Sequence, residues 1–381
     1  MQSTALRLLP RRQLSTPTYI PSQTPRFARV RRQMSSPSSK KPSIPHVVRT
    51  AAEPRQNRLY NVRLSHIEQA NPTVRLLQLT LPPQASTPEE SQEDAESDQP
   101  EPFTFLPGQW LDVHIPTVST AGGFSITSTP ADAQALPSLE PTTESLAVDD
   151  EETGLPPLDP RGRAPYVELA VQYAPSNPAS AWLWRPKHEI LGKDLTIRVG
   201  GSLVWPPAGI DLGGIRNVVF VAGGMGINPL ISMLSHLNNH PDGCPSLRRP
   251  CNIHFLYSSK LPREGSSESP MEQVPFLSRL RQIMRSHSTS QRLQISLDLF
   301  LTGLSPESPV LREPPLDITV HPRRISHNDL QLALAGPEGT FRPEETLCYM
   351  CGPPKMTDEF IPIIQNSLGQ KKEHVFWEKW W

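Results

Sequence analysis

The first half of the chain carries short runs in which apolar and polar residues alternate, a period that is typical of β-strands. Loops separate these runs, and hardly any stretch shows the spacing of a helix. Two stretches without periodicity, 84–102 and 131–163, are rich in proline and acidic residues and are predicted to be disordered loops. The pattern predicts a small antiparallel β-barrel. The alternating runs lie near 59–64, 74–79, 110–115, 166–171 and 195–199.

From about residue 214 the pattern changes to continuous apolar runs that alternate with stretches of helical spacing. The run 218–222 suits a parallel strand that is buried on both faces, and the next segment, 229–237, has the period of a helix. Strand and helix continue to alternate, except in the proline-rich segment 303–343, which is predicted to be a third disordered loop. This order predicts a doubly wound parallel sheet.

These patterns divide the chain into a leader (1–52), a barrel domain (53–212) and an α/β domain (213–381). The leader scatters arginines among Ser, Thr and Pro, and the first acidic residue of the chain is Glu53. This composition is typical of a mitochondrial transit peptide, so we expect import into the matrix and cleavage before about residue 55. A basic disordered tail is the alternative.

The overall composition narrows the class of protein. A formal net charge of -1 over 381 residues gives no basic surface for a nucleic-acid partner. The 45 prolines and a hydrophobic content of only 36% indicate disordered segments around an ordinary core. The 4 cysteines are too few for a disulfide scaffold and fit a reducing compartment. No apolar run reaches the roughly 18–20 residues of a transmembrane helix.

A glycine-rich turn follows the first buried strand of the second half and precedes a helix. Bound pyrophosphate needs close backbone N–H groups, and glycines remove the side chains that would block its approach. The helix N-terminus adds a partial positive charge. The motif is not GxGxxG, and a tight turn without a ligand is the alternative. We predict that it binds a nicotinamide dinucleotide through Gly223, Gly224, Met225, Gly226, Ile227, Asn228 and Pro229.

A second motif, Cys351-Gly352-Pro353, follows another apolar strand. Ligands of parallel sheets lie at the carboxyl ends of the strands, so this motif is expected beside the glycine-rich turn. Cys348 and Cys351 also spell CxxC, which makes a redox pair the less favoured alternative. Three steps along a strand place the two side chains on opposite faces, so Cys348 is assigned to the core. The cysteine spacings do not fit a plant-type iron–sulfur site, and no metal site is predicted.

Two further groups of residues are candidates for cofactor contacts. Phe124 next to Ser125 on a strand could stack on and hydrogen-bond a flat heterocycle, although on the residues alone Phe124 is better explained as barrel core. The second strand of the α/β half ends in Ser258, Ser259 and Lys260. No acidic residue stands there to bind ribose hydroxyls and repel a 2′-phosphate. Lys260 and the two serines could accept the 2′-phosphate, so we expect poor discrimination between NADH and NADPH.

Taken in this order, the segments resemble the ferredoxin–NADP reductase superfamily, and especially the mitochondrial oxidoreductase NAD-binding domain-containing proteins. The likeness covers about residues 58–381 with the loops discounted. It rests on the glycine-rich turn, on Cys351-Gly352-Pro353-Pro354 and on the segment Trp377-Glu378-Lys379-Trp380-Trp381. The resemblance implies an antiparallel Greek-key barrel that binds a flavin, here FAD, followed by a domain that binds NAD, with NADP as a possible substitute.

The resemblance also implies roles for individual residues. Phe124 would pack against the flavin ring, and Ser125 would hydrogen-bond near its reactive nitrogen. Cys351 would lie by the nicotinamide carbon that gives up hydride, so that Ser125 and Cys351 flank the transfer. Trp381 would cover the flavin face that the nicotinamide must reach. The other flavin-binding positions implied in this way are Ile126, Thr127 and, in a loop that resembles a flavin-phosphate loop, Ser180.

Two positions depart from the family pattern. Gly122 stands where the family signature has an arginine, and Asn177 stands where the phosphate loop usually has glycine. An arginine would neutralise the phosphate charge of the flavin. The departures favour an alternative to an enzyme, namely a nicotinamide-binding sensor or scaffold that no longer turns over. The preferred hypothesis is an oxidoreductase that passes hydride from NAD(P)H to a bound flavin and electrons to an unidentified acceptor.

Overall fold

A computed structural model describes residues 44–82, 102–135, 163–239, 247, 250–261, 271–289, 292–304, 307–313, 315–336 and 339–380. Within this part of the chain, six strands form an antiparallel sheet and six more form a parallel sheet. The change from one sheet to the other falls between Gly200 and Asn217. Both halves of the predicted fold class are therefore confirmed. None of the described helices has the length and apolar character needed to cross a membrane.

The antiparallel sheet curls into a barrel around apolar side chains such as Leu64, Leu111 and Ile197, which are fully buried. Its strand order is β4-β3-β6-β1-β2-β5, and a bridge between Ile126 and Leu169 joins the two edges. Closing the edges removes unpaired backbone groups that would invite aggregation. The strands are β1 Tyr60–Asn71, β2 Val74–Thr80, β3 Trp110–His114, β4 Gly122–Ser125, β5 Tyr166–Gln172 and β6 Asp194–Gly200. Helix α1 is His46–Arg49, α2 is Pro178–Leu183 and α3 is Lys187–Ile190.

The parallel sheet has the order β10-β9-β8-β7-β11-β12 and carries a hydrophobic cluster on each face. Its strands are β7 Asn217–Gly223, β8 Cys251–Lys260, β9 Leu293–Thr302, β10 Thr319–His321, β11 Thr346–Gly352 and β12 Val375–Lys379. Its helices are α4 Ile227–Asn239, α5 Leu277–His287, α6 Pro309–Arg312, α7 His327–Ala335 and α8 Pro354–Pro362. Short 3-10 segments lie at Pro130–Ala133, Leu212–Gly214, Gly224–Gly226, Pro343–Glu345 and Lys372–His374, with a π-helical turn at Ile363–Ser367.

The prediction of a disordered loop at 303–343 was wrong for the described residues, because α6, β10 and α7 lie there. Strand β10 pairs with β9 and extends the parallel sheet by one strand. Helix α7 begins at a capping box in which the Ser326 backbone N–H and hydroxyl both donate to the Asp329 carboxylate. Arg323 pairs with the same carboxylate, which holds the pKa of Asp329 far below its usual range. Proline-rich composition hid these short elements.

The leader boundary at residue 52 was also placed too late. Residues 44–55, which we call the N-terminal arm, pack on the outer face of β3 and β4. Residues 1–43 lie outside the described part, as do 83–101 and 136–162 in the two predicted barrel loops. Residues 131–135 of the second loop are described and include most of a 3-10 turn. The arm therefore belongs to the fold and adjoins the site described next.

Candidate functional site

The glycine-rich turn and the Cys351 motif lie side by side at the carboxyl edge of the parallel sheet. Strand β11 pairs with β7, and Cys351 stands opposite Ala222. A Cβ atom added at Gly226 would lie 2.1 Å from the carbonyl oxygen of Cys351, and one at Gly223 would lie 2.6 Å from the Met356 sulfur. These two glycines are therefore required by the protein's own packing, whatever else binds at the turn.

Gly224 differs from its neighbours in the turn. It has a φ of +55°, a region that favours glycine, and an added Cβ would meet nothing within 4 Å. Open space therefore adjoins the turn at this position, as an approaching phosphate group would need. Gly224 is the glycine of the turn at which an added side chain would reach into free space.

The helix that follows the turn turns its first residues inward. Met225, Ile227, Asn228 and Pro229 are buried, so their side chains do not face an open surface. The Asn228 Nδ2 group donates to the Ala170 carbonyl oxygen of β5 at 3.0 Å, which links the turn to the barrel. Any contact between a cofactor and these positions would have to involve the backbone.

The three residues that could accept a 2′-phosphate lie on the strand beside the turn. Ser258 pairs with Gly223 across β8 and β7, which places it next to the glycine-rich turn. Ser259 is buried, whereas Lys260 is exposed at the end of β8. Of the three, Ser258 and Lys260 remain accessible to a ligand at this edge.

The thiol of Cys351 is fully buried, and burial raises its pKa well above the usual value, with a further contribution from nearby Glu378. Cys351 therefore stays a neutral thiol and is not a nucleophile. Cys348 belongs to the hydrophobic cluster on the opposite face of the sheet, and both cysteines are free thiols. This confirms that Cys348 is a core residue and that the two are not a redox pair.

Glu378 is a site residue that the sequence analysis did not select. It stands opposite Cys351 in the β11–β12 pairing, and its Oε2 atom is buried without a hydrogen-bond partner. Burial raises its pKa to about 8, with a smaller contribution from the charge of Glu53, while the Trp110 indole beside it opposes the shift. The carboxyl is therefore mainly protonated at neutral pH. The sequence signal that could have pointed to Glu378 is its position between Trp377 and Trp380 in the last strand segment.

Ser125 is fully buried at the end of β4, and its Oγ atom has no hydrogen-bond partner among the described residues. A buried hydroxyl without a partner is costly, so a ligand atom is the expected partner. Ser125 pairs with Trp110 on β3, and Trp110 neighbours Glu378, which faces Cys351. This series of neighbours connects the two predicted catalytic residues across the two halves of the molecule.

A cavity of about 260 Å³ opens beside this series of residues, and we call it the cofactor cavity. Three parts of the chain line it: the N-terminal arm, the barrel and β12. Phe124 and Ser180, two of the positions implied by the resemblance, line it. Ile126 and Thr127 do not. Ile126 lies in the barrel core, and Thr127 donates to the Glu168 carboxylate at 2.7 Å beside a separate polar cavity.

The aromatic end of the chain also lines the cofactor cavity. Trp380 borders it, and its backbone N–H donates to the Gly352 carbonyl oxygen at 2.8 Å. Phe376 stacks on Tyr349 with ring centroids 4.9 Å apart, so this residue completes the core. Trp381, which was expected to cover the flavin, lies outside the described residues.

The loop that resembles a flavin-phosphate loop uses its donors internally. The Asn177 Oδ1 atom accepts from the backbone N–H groups of Ala179 and Ser180 at 3.1 and 3.2 Å. The Ser180 hydroxyl donates to the Gln172 carbonyl oxygen at 2.8 Å. A glycine at position 177 would leave both N–H groups free for a phosphate. The substitution to asparagine therefore removes donors that the family loop offers.

The second departure, Gly122, is also fixed by packing. A Cβ atom at this position would lie 2.5 Å from the Ala179 Cβ and 2.6 Å from the Phe124 ring. An arginine cannot be placed here without moving α2 or the aromatic ring. Strand β4 therefore offers no cation at the position where the family signature has an arginine.

Curated relatives support this architecture. No protein-family model matches the chain. Oxidoreductase NAD-binding domain-containing protein 1 of Danio rerio is 30% identical over 337 residues, covering 88% of this chain and 97% of the relative. The chain belongs to the oxidoreductase NAD-binding domain-containing protein 1 family. The relative of the same name from Pongo abelii is 30% identical over 290 residues, covering 73% of this chain and 71% of the relative.

Solved structures with a similar fold include reductases and reductase domains. A ferredoxin NADP⁺ reductase from Neisseria gonorrhoeae with bound FAD and NADP matches with a TM-score of 0.51 and 13% identity, covering 85% of this chain and 99% of that one. The CS-b5R domains of human Ncb5or in the NAD⁺ form match with a TM-score of 0.50 and 16% identity, covering 84% and 69%. At these identities the likeness shows the fold: the chain has the ferredoxin–NADP reductase architecture.

Proposed function

We propose that the chain is an NAD(P)H-dependent flavoprotein oxidoreductase. The observation that carries the proposal is the buried Ser125 hydroxyl, which lacks a protein partner and is connected through Trp110 and Glu378 to Cys351. A bound flavin would accept hydride from the nicotinamide and pass electrons to an acceptor. The names of the relatives and the cofactors of the solved neighbours support a nicotinamide and a flavin as the two ligands.

Each residue then has a task that its surroundings allow. The Ser125 hydroxyl would donate to the ring end of the flavin, and Phe124, which lines the cofactor cavity, would supply an aromatic contact. The neutral thiol of Cys351 and the protonated Glu378 keep negative charge away from the nicotinamide ring. The turn around Gly224 holds the dinucleotide phosphates through backbone N–H groups. Burial of this series excludes water, which protects the reduced cofactors.

The test is whether the purified protein retains flavin and whether NADH reduces it. We expect a yellow protein whose absorbance in the flavin bands bleaches on anaerobic addition of NADH. Ser125→Ala should slow this bleaching by about tenfold or more, because it removes a hydrogen bond to the reacting ring. Ser65→Ala, an exposed serine on β1, is the matched control. A colourless protein that binds NADH would contradict the proposal.

The second candidate is a nicotinamide-binding sensor or scaffold without flavin. It is favoured by the closed packing at Gly122 and by the internal hydrogen bonds of Asn177. It predicts that NADH binds with no absorbance in the flavin bands, even after incubation with excess FAD. The same preparation therefore decides between the two candidates.

The compartment is also a proposal. We propose that the arginine-rich leader directs the chain to the mitochondrial matrix. The N-terminal arm carries buried contacts, so the expected cleavage point moves from before about residue 55 to upstream of residue 44. Sequencing the N-terminus of the protein from isolated mitochondria tests both statements, and cytosolic fractionation would contradict the first.

A further inference from the structure

The N-terminal arm is anchored to the barrel by a buried cluster of charges. Asp112 on β3 is fully buried, and its Oδ2 atom accepts from Arg55 Nε at 2.9 Å and from Arg198 Nη2 at 2.8 Å. Arg55 also donates to the Thr50 carbonyl oxygen at 2.6 Å, which fixes the turn after α1. Because a buried carboxylate needs such partners, the ion pair with Arg55 holds the arm on the barrel.

The arm and the two glycines of β4 are complementary in shape. A Cβ atom at Gly123 would lie 2.1 Å from the His46 ring, so only glycine leaves room for this imidazole. The ring meets Trp110 edge to face, with centroids 4.6 Å apart. Burial lowers the pKa of His46 to about 4, so the ring is neutral, and its Nε2 atom lies 3.5 Å from the Asp112 carboxylate. Gly123 thus leaves the space that the His46 ring of the arm occupies. The neighbouring Gly122 has no room for an arginine.

Seating the arm in this way brings Arg49 to the cofactor cavity. Arg49 is the last residue of α1, and it lines the cavity together with Asn177 and Ser180 of the phosphate-type loop. Its Nε group donates to the Ile44 carbonyl oxygen at 2.9 Å, which orients the side chain. A guanidinium is permanently charged and matches phosphate oxygens with two parallel N–H groups.

Lys379, Glu378 and Glu53 also line the cavity. Lys379 pairs with Asp358 at 2.6 Å, and Glu378 is mainly protonated at neutral pH. Glu53 accepts from the backbone N–H and the hydroxyl of Ser202 at 3.1 and 2.6 Å. Arg49 thus contributes a positive charge to the cavity beside the loop at 177–180.

We propose that Arg49, carried by the N-terminal arm, binds a phosphate group of the flavin and replaces the arginine that Gly122 excludes from β4. The inference rests on the proposed flavin function. It assigns a ligand contact to a segment whose composition resembles a targeting leader. It also explains how a barrel without a signature arginine and without free loop amides can hold a phosphorylated flavin.

The experiment compares three flavins on one set of variants. Flavin-free protein is titrated with FAD, FMN and riboflavin, the last of which has no phosphate, and ring fluorescence reports binding. The set is the full chain, Arg49→Ala, Arg49→Lys and Arg63→Ala. Arg63 is an exposed arginine on β1 that pairs with Asp194 and serves as the matched control. NADH titration of each protein reports the nicotinamide side independently.

We expect Arg49→Ala to weaken FAD and FMN by about tenfold or more, because a charged hydrogen bond is lost, while riboflavin and NADH affinities stay unchanged. Arg49→Lys should recover part of the loss, and Arg63→Ala should match the wild type. Equal weakening of riboflavin would show a packing role and overturn the inference. Tighter flavin binding in Arg49→Ala would show that the arm obstructs the cavity, which also overturns it. A wild type that binds no flavin refutes the proposed function as well.

Discussion

The two sides of the candidate site are built in different ways. The proposed nicotinamide side consists of two short motifs on neighbouring strands, with Gly226 against Cys351, and each motif is continuous in the sequence. The proposed flavin side is assembled from segments that are distant in sequence, namely the N-terminal arm, the loop at 177–180 and β12. The comparison teaches that a site made from local turns can be recognised as a motif in the sequence, whereas a site assembled from distant segments leaves no continuous motif.

The largest expected effect concerns the nicotinamide side. Gly226→Val should unfold or severely destabilise the protein, by about 3 kcal/mol or more, because the new side chain meets the Cys351 backbone. Gly224→Val should remain folded apart from the cost of its positive φ, and should lose NADH binding because its side chain occupies open space beside the turn. Denaturant unfolding and NADH titration check both. Retained NADH binding in folded Gly224→Val would show that the turn is structural.

The next prediction tests the anchor of the flavin side. Asp112→Asn should lower the free energy of unfolding by about 3 kcal/mol, because Arg55 and Arg198 lose a buried partner. The arm should then become sensitive to proteases. Asp194→Asn, which removes an exposed ion pair with Arg63, should leave the free energy of unfolding nearly unchanged. If both variants behave alike, the arm is not anchored by this cluster.

A pH dependence follows from Glu378, where the two sides meet. Its pKa is about 8 in the folded protein against an ordinary value of 4.5, so the folded state holds the proton more tightly. The contribution of Glu378 to the free energy of unfolding is fully present below pH 4.5 and is lost as the pH rises toward 8. Glu378→Gln should flatten this fall and be more stable than the wild type at pH 8 by roughly 1–3 kcal/mol. Parallel stability curves from denaturant titrations at several pH values would contradict the assignment.

The smallest expected effect concerns cofactor choice. Lys260 is exposed at the end of β8, and we expect Lys260→Ala to weaken NADPH binding by about tenfold while leaving NADH unchanged, because only NADPH carries a 2′-phosphate. Lys193→Ala, an exposed barrel lysine, is the control. In the wild type we expect a preference below about a hundredfold, roughly 3 kcal/mol. A larger preference for either cofactor would refute poor discrimination.

The sequence predicts the parallel sheet well because its signals are local. A continuous apolar run predicts β7, and the two-residue period of a strand correctly separates Cys348 from Cys351. Placement of Cys351 beside the glycine-rich turn follows from the rule that parallel strands share a carboxyl edge. Glu378 was missed because the pairing that brings it to Cys351 joins strands that are not adjacent in any short motif.

There is a physical reason why the sequence did not predict the N-terminal arm. Arg55 and Asp112 are separated by 57 positions, and composition reports nothing about such a pair. Scattered arginines look the same whether they direct import or neutralise a buried carboxylate. The segment 303–343 failed in a related way: its prolines mark loops correctly, but the Ser326–Asp329 capping box between them was overlooked. Local composition thus obscured elements that only tertiary contacts explain.

Helix α4 links the two halves of the molecule, and this link affects the entropy cost of aligning two bound ligands. The Ser232 hydroxyl of this helix donates to the Ser128 carbonyl oxygen at 2.6 Å, three residues beyond Ser125, and Asn228 holds β5. The orientation of one reactant site relative to the other is therefore fixed when the chain folds. A pair of ligands that enters such a frame loses less rotational freedom on alignment than two partners that meet in solution. Helix α4 thus fixes the distance between the barrel and the glycine-rich turn.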